Sequence, residues 1–214
     1  MQSERNERSI HDGMRIDLHV HCSERSACGR STEEEQIIAA INSGLDAIVF
    51  TDHNRLVPER HIQELNEKYN PFRVFGGIEI NVSEEDIIVL GVHDPSMEVR
   101  KWTYGKLYDS VRQNGGYMAL AHPFRYHDTI NIDLENLAPD AIEMMSNNTP
   151  GAAAERIYQI ASSLSIPVLC NSDSHRSSNI GRYYNVINRF PEDEMELIHL
   201  LKSGEFRCSI HSQR

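Results

Sequence analysis

Short apolar runs alternate along the chain with longer stretches whose apolar positions recur every three or four residues, a pattern that predicts strand, helix, strand, helix from residue 15 onward. Residues 15–20 (RIDLHV) read as a strand. Ser31-Thr32-Glu33-Glu34-Glu35 then supplies a capping signature ahead of Ile37, Ile38 and Ile41, and Gly44 ends a capped amphipathic helix. Residues 47–51 suit a buried strand, and 58–69 carry Ile62 and Leu65 at helical spacing. Residues 73–80 and 86–92 read as strands joined by a polar turn at Ser83-Glu84-Glu85, and a helix over 99–113 ends at Gly115-Gly116. Three further strands are expected at 117–121, 141–145 and 167–170, with a helix at 152–164. A short last strand at 184–187 precedes a helix at 192–202 in which Met195, Ile198 and Leu201 share a face and Gly204 caps the end.

Strands alternating with helices argue for parallel βαβ units, and the seven strands through 167–170 are compatible with a barrel somewhat smaller than the usual eight-stranded one. A doubly wound open sheet is the competing architecture. Neither repeat nor linker is visible, so the reading is a polar tail over 1–14 and a single α/β domain over 15–214. Both architectures place chemistry at the C-terminal ends of strands.

Those ends are where the unusual residues lie. Asp17-Leu18-His19-Val20-His21 closes the first strand, and alternation puts Asp17, His19 and His21 on one face, with Asp17 as an orienting neighbour. Thr51-Asp52-His53-Asn54 closes the second, favouring His53 as a ligand and Asp52 as a hydrogen-bonding neighbour. Glu79 interrupts an apolar run in the third, and a lone buried carboxylate is costly unless paired or bound to a metal. His122 follows the fifth strand, and Asp173 and His175 follow the seventh with the one-face spacing of the first. Five histidines and two carboxylates therefore converge if the strands gather at one mouth. Mixed imidazole and carboxylate donors suit zinc, manganese or iron, and their number implies more than one ion. His11, His61, His127, His199 and His211 read as ordinary core or surface residues.

Composition narrows the function further. With 39% hydrophobic and 25% charged residues the 214-residue chain is globular rather than disordered. The net charge of −11 opposes indiscriminate attraction to nucleic acid or anionic lipid. No run reaches the roughly 18 apolar residues of a membrane helix. The polar start MQSERNERSIHDG resembles neither a signal peptide nor an anchor. Four cysteines without a C-x-x-C pair suggest reduced thiols, hence a cytoplasmic protein.

DLHVH, TDHN, GIE, AHP and NSDSH occur in this order, and with them the chain resembles the PHP (polymerase and histidinol phosphatase) domain superfamily of metal-dependent phosphoesterases, from about Arg15 to Arg207. The resemblance implies a distorted seven-stranded TIM-like β/α barrel with two to three divalent transition metals (zinc, manganese or iron) in a cleft at its mouth. It implies that His19, His21, Glu79 and Asp173 hold a first metal with Glu79 bridging, that His53 and His175 hold a second, and that His122 holds a third. Two positions depart from the family pattern. Cys28 stands at or beside a place where the family often has Asp or His, and Ile88 replaces a family histidine. Cys28 reads either as a thiolate ligand favouring zinc or as a small loop residue beside Gly29; His93 is near Ile88, but alternation places it on another face.

The expected activity is hydrolysis of phosphate esters through a metal-bound hydroxide, with a small phosphorylated metabolite or nucleotide as monoester substrate. Asp173, His175, Arg125 and Arg176 are the candidates for the reacting centre, the two arginines gripping phosphate oxygens. Arg30 and Arg182 are weaker candidates, and no G-x-S-x-G elbow or P-loop argues for another chemistry. The alternatives are an exonuclease-like phosphodiesterase, which the acidic charge disfavours, and a non-catalytic metal-stabilised module.

Overall fold

The computed structural model describes residues 13–98 and 101–210. The expected tail (apart from residues 13 and 14), the first two residues of the helix expected at 99–113, and His11 and His211 lie outside them. The strands are β1 (Met14–Val20), β2 (Ala47–Phe50), β3 (Arg73–Val82), β4 (Glu85–Leu90), β5 (Tyr117–Ala121), β6 (Ala141–Met145), β7 (Val168–Cys170), β8 (Tyr183–Ile187) and β9 (Phe206–Ile210). The helices are α1 (Glu33–Asn42), α2 (Glu59–Tyr69), α3 (Tyr104–Gln113), α4 (Ala154–Ser163) and α5 (Glu194–Lys202).

Nine strands form one sheet in the order β7-β6-β5-β4-β3-β2-β1-β8-β9, so the expected count of seven is corrected to nine among the described residues. Pairing is parallel from β1 through β3 and from β5 through β7, but antiparallel at β3-β4-β5 and at β1-β8-β9. The turn that joins β3 to β4 is the cause of the first reversal. Ser83 and Glu84 both take left-handed backbone, φ 54° and 68°, the geometry of a tight hairpin. Met14, expected in the tail, opens β1. The sheet is nearly closed by side chains: Asn185 of β8 receives the Cys170 N–H at 3.1 Å and donates to the Cys170 carbonyl at 2.9 Å.

Ile16, Leu18, Val49, Ile88, Leu90 and Ala119 fill the barrel interior with Leu197, Ile198, Leu200 and Leu201 of α5. A second cluster packs β4 to β6 against α3 and α4, and a third packs β1 and β2 against α1. Thr32 and Glu35 form the expected capping box on α1. Its buried face differs from expectation: Gln36, Ile37 and Ala40 are buried, whereas Ile38 and Ile41 are 45% and 36% exposed. Gln36 is held inward because its amide donates to the carbonyls of His21 and Ser174. On α5 Met195 is likewise exposed, since Leu197 and Leu200 join Ile198 and Leu201 inside. α3 begins at Tyr104, later than expected, with Thr103 ahead of it in extended backbone, and a 3-10 turn takes up Pro95–Glu98.

Candidate metal centre

Imidazoles and carboxylates from six strands meet at the barrel mouth. His19 and His21 bring their Nε2 atoms to 3.0 Å. His19 Nε2 also lies 3.3 Å from Glu79 Oε1 and 3.4 Å from Asp173 Oδ1, and His21 Nε2 lies 3.1 Å from Glu79 Oε2 and 3.2 Å from Asp173 Oδ1. Strict alternation along β1 does not produce this. The β1–β2 register shifts between Asp17 and Val20, so Leu18 packs in the interior while Val20 joins the outer cluster. Asp17 is an orienting neighbour of the backbone rather than of the rings, accepting the N–H groups of His19 and Ser172.

The second ring nitrogens are already used. His19 Nδ1 donates to Glu143 Oε1 at 3.1 Å, and His21 Nδ1 donates to Ser26 Oγ at 3.3 Å, whose hydroxyl in turn donates to Asp52 at 2.7 Å. These partners leave each Nε2 as a lone pair directed into the cluster. Glu143 also accepts from Asn171 Nδ2 and from the His122 N–H, so one buried carboxylate ties three segments to the site.

A second group comprises Cys28, His53 and His175, with His21 beside them; their donor atoms all lie within 4.8 Å of one another. His53 Nδ1 is 3.0 Å from Glu79 Oε2. On the other flank His122 Nε2 is 3.2 Å from Glu79 Oε1, 3.6 Å from Asp173 Oδ2 and 3.9 Å from Asp86 Oδ2. His122 and Asp173 have positive φ, 24° and 46°, backbone strain of about 1–3 kcal/mol each that the surrounding bonds must hold.

The donor set fits divalent cations. Glu79 Oε2 and Asp173 Oδ1 are buried without a hydrogen-bond partner although imidazole nitrogens stand near. In their neutral forms the two rings, whose Nδ1 atoms donate, face each other through Nε2 atoms with no proton between them. Lone pairs thus converge on common points, which a cation satisfies and a hydrogen bond does not.

Without a cation, the same carboxylates hold protons on the surrounding imidazoles, which a bound ion would displace. Burial opposes charge on Asp173 and Glu79, but the surrounding imidazoles, His19 foremost, hold both carboxyls below the usual range. Burial alone would lower His21, yet Asp173 and Glu79 raise it to about 9. For His53, burial is outweighed by Cys28 and Glu79, which bring it to about 10. Burial would raise the Cys28 thiol, but His175 and His53 bring it down to about 6. Desolvation pushes the Asp17 carboxyl up to about 7.

His19, His21, His53, Glu79, His122, Asp173 and His175 are thus gathered in one cluster, and Asp52 stays outside it as a hydrogen-bond acceptor. Arg125 reaches it: Nη1 is 3.4 Å from both Asp173 Oδ2 and His122 Nε2. Arg176 does not; its side chain is exposed and makes no hydrogen bond or ion pair with the cluster. His93 pairs with Glu194 on α5 at 2.5 Å, because β4 runs antiparallel and the residues after it emerge at the opposite end. The same reversal brings Asp86, at the start of β4, to the mouth. Ile88 stands opposite Glu79 in the β3–β4 register and packs inside the barrel.

Sequence reasoning missed Glu143, Asp86, Ser26 and Arg25. Glu143 interrupts the apolar run AIEMM of β6 just as Glu79 interrupts β3, a signal that was present. Arg25 donates to Asp52 at 2.8 Å and pairs with Glu33. With Cys28, His53, Asn54, Arg55 and Asn81 it lines a cleft of about 520 Å³ beside the second group. Among the described residues no helix is long and apolar enough to cross a membrane.

A PHP-associated family model matches residues 151–206. No curated protein matches the chain in sequence. Solved structures share the fold at low identity. A two-domain protein from Bacteroides vulgatus ATCC 8482, described as containing a PHP-like metal-dependent phosphoesterase, superposes with a TM-score of 0.72 at 15% identity over 99% of this chain and 70% of its own. PsfC from Pseudomonas syringae PB-5123 gives 0.66 at 19% identity, over 87% of this chain and 88% of its own. A protein from Bifidobacterium adolescentis ATCC 15703 assigned as a metal-dependent phosphoesterase gives 0.63 at 14%, over 87% and 96%.

Proposed function

We propose that the chain is a metal-dependent phosphoesterase of the PHP superfamily acting on small phosphate monoesters, a reading supported by its fold and by its PHP-associated segment. The observation that carries the reading is the convergence of imidazole lone pairs and unpartnered buried carboxylate oxygens, Glu79 Oε2 and Asp173 Oδ1, beside a guanidinium. His19, His21, Asp173 and Glu79 would hold one ion, and His53 and His175 a second that shares Glu79. Bound there, divalent ions supply Lewis-acid activation of water and neutralise charge developing on a phosphoryl group.

The chain's own residues do the rest. Glu143 and Ser26 fix the rings of His19 and His21 so that their Nε2 atoms point inward. Arg125, at the rim and a quarter exposed, is placed to turn from Asp173 toward a non-reacting phosphate oxygen. Asn148 donates to Asp173 Oδ2 at 2.5 Å and keeps that carboxylate oriented when Arg125 leaves it. A cleft of about 520 Å³ suits a small leaving group, and the net charge of −11 disfavours a polynucleotide.

Hydrolysis of an activated phosphomonoester by protein loaded with manganese or zinc tests the proposal. Asp173→Asn and His19→Asn should each lower the rate by about two orders of magnitude or more, while His199→Asn on α5 leaves it unchanged. Absence of hydrolysis of any phosphate ester by the metal-loaded wild type, or equal losses at His199, would overturn it.

A further inference from the structure

Resting on the reading of the cluster as a metal centre, we propose that its second ion is held by a cysteine thiolate. Cys28, His53 and His175 would form a sulfur-and-imidazole site selective for zinc beside a first site of imidazole and carboxylate. Four donor groups lie together there, Cys28, His53, His175 and His21, but His21 has one free lone pair, since its Nδ1 is committed to Ser26. That lone pair lies 3.0–3.2 Å from donors of the first site, so His21 belongs to it. Without Cys28 the second ion would keep two imidazoles and a share of Glu79. With it, the ion gains a fourth protein donor and a tetrahedral number.

The loop between β1 and α1 is built to hold Cys28 in this place. Ser26 Oγ, two residues before it, accepts the His53 N–H at 3.0 Å. Two residues after it, the Arg30 N–H donates to the His175 carbonyl at 2.8 Å. The cysteine is therefore bracketed by bonds to the two segments that carry its partner ligands. Gly29 lets the loop pass over Cys22: an added Cβ would sit 2.4 Å from the Cys22 carbonyl carbon and oxygen. The remaining cysteines are elsewhere: Cys22 contacts Asp52 and Arg25, Cys208 bonds the Val168 carbonyl, and Cys170 lies in β7. Cys28 is half-buried and opens on the cleft, so a metal or reagent reaches it from solvent. A thiolate among imidazoles favours zinc or cobalt over manganese, whereas the carboxylate-rich first site discriminates less.

Cobalt(II) titration of the metal-stripped protein tests this through absorption rather than activity. The wild type should show a near-ultraviolet sulfur-to-cobalt charge-transfer band, present in Cys208→Ser and absent in Cys28→Ser and Cys28→Asp. Zinc affinity of the second site should fall by at least about tenfold in Cys28→Ser. Cys28→Asp should retain an ion there but prefer manganese over zinc relative to wild type. In parallel, zinc should slow alkylation of Cys28 by iodoacetamide and leave Cys208 unaffected. Cobalt bound without the band, or a band that survives in Cys28→Ser, overturns the thiolate and leaves the metal centre standing. No cobalt bound at all overturns both.

Discussion

Glu143→Gln isolates the buried carboxylate that orients the His19 ring. Glu143 is fully buried, its Oε1 accepting from His19 Nδ1 at 3.1 Å and Asn171 Nδ2 at 2.8 Å, its Oε2 from the His122 N–H at 3.0 Å. Glutamine has one acceptor oxygen. In its better orientation it keeps the pair of bonds at Oε1 and turns an amide N–H₂ toward the His122 N–H. One bond to a charged acceptor is lost and two donors face each other, a cost of about 2–4 kcal/mol. For a chain of this size that lowers Tm by roughly 4–16 °C. The weaker acceptor also makes His19 a poorer donor to a metal, which should lower first-site affinity by about 10–100-fold. Chelator competition measures the affinity, and thermal melts with and without metal measure the stability. Metal affinity within about twofold of wild type in Glu143→Gln, with an unchanged melt, would refute the orienting role and with it the assignment of His19 Nε2 as the donor atom.

Metal binding must displace protons, because in the metal-free protein His21 and His53 are held up to about 9 and 10. Affinity should therefore rise from pH 6 toward pH 9–10, and calorimetry in buffers of different ionisation heat should show proton release; its absence would refute the ligand assignment. A raised histidine stabilises the fold fully below its ordinary value near 6.5 and loses that contribution as pH rises through the folded value, so the chelated protein should lose stability between pH 7 and 10. The Arg125 guanidinium sits 3.4 Å from His122 and Asp173, where a third cation would compete with it. Two ions should bind tightly and a third weakly, and Arg125→Ala should strengthen the third at least severalfold in metal titration; unchanged stoichiometry would count against it. Gly29→Ala forces the loop off Cys22 and should lower second-site affinity more than first-site affinity, a difference that titration reads directly.

Much of the centre was legible because parallel strands place the residues that follow them at one end. DLHVH and AHP close β1 and β5, TDHN and NSDSH follow β2 and β7, and their side chains meet as that rule requires. The rule failed where direction reversed. The hairpin at Ser83-Glu84 turns β4 antiparallel, which sends His93 to the far end against Glu194 and brings Asp86 to the mouth. β9 escaped notice because FRCSI is an edge strand of half-exposed, mixed residues with no alternation to read.

Local chemistry by itself determined the order of elements as far as α5, the α1 capping box and which residues have the donor atoms to bind metal, since propensity, capping and ligand type depend on neighbours in the chain. Only the tertiary structure decided which donors share a point. Whether Cys28 faces His53 or solvent depends on the Ser26 and Arg30 bonds to other segments. Whether Glu143 is core or support depends on β6 lying beside β5 and β7, with His19 across the barrel mouth. Contacts between residues more than a hundred positions apart, such as His19 with Glu143, are set by strand order and direction, and no local pattern encodes those.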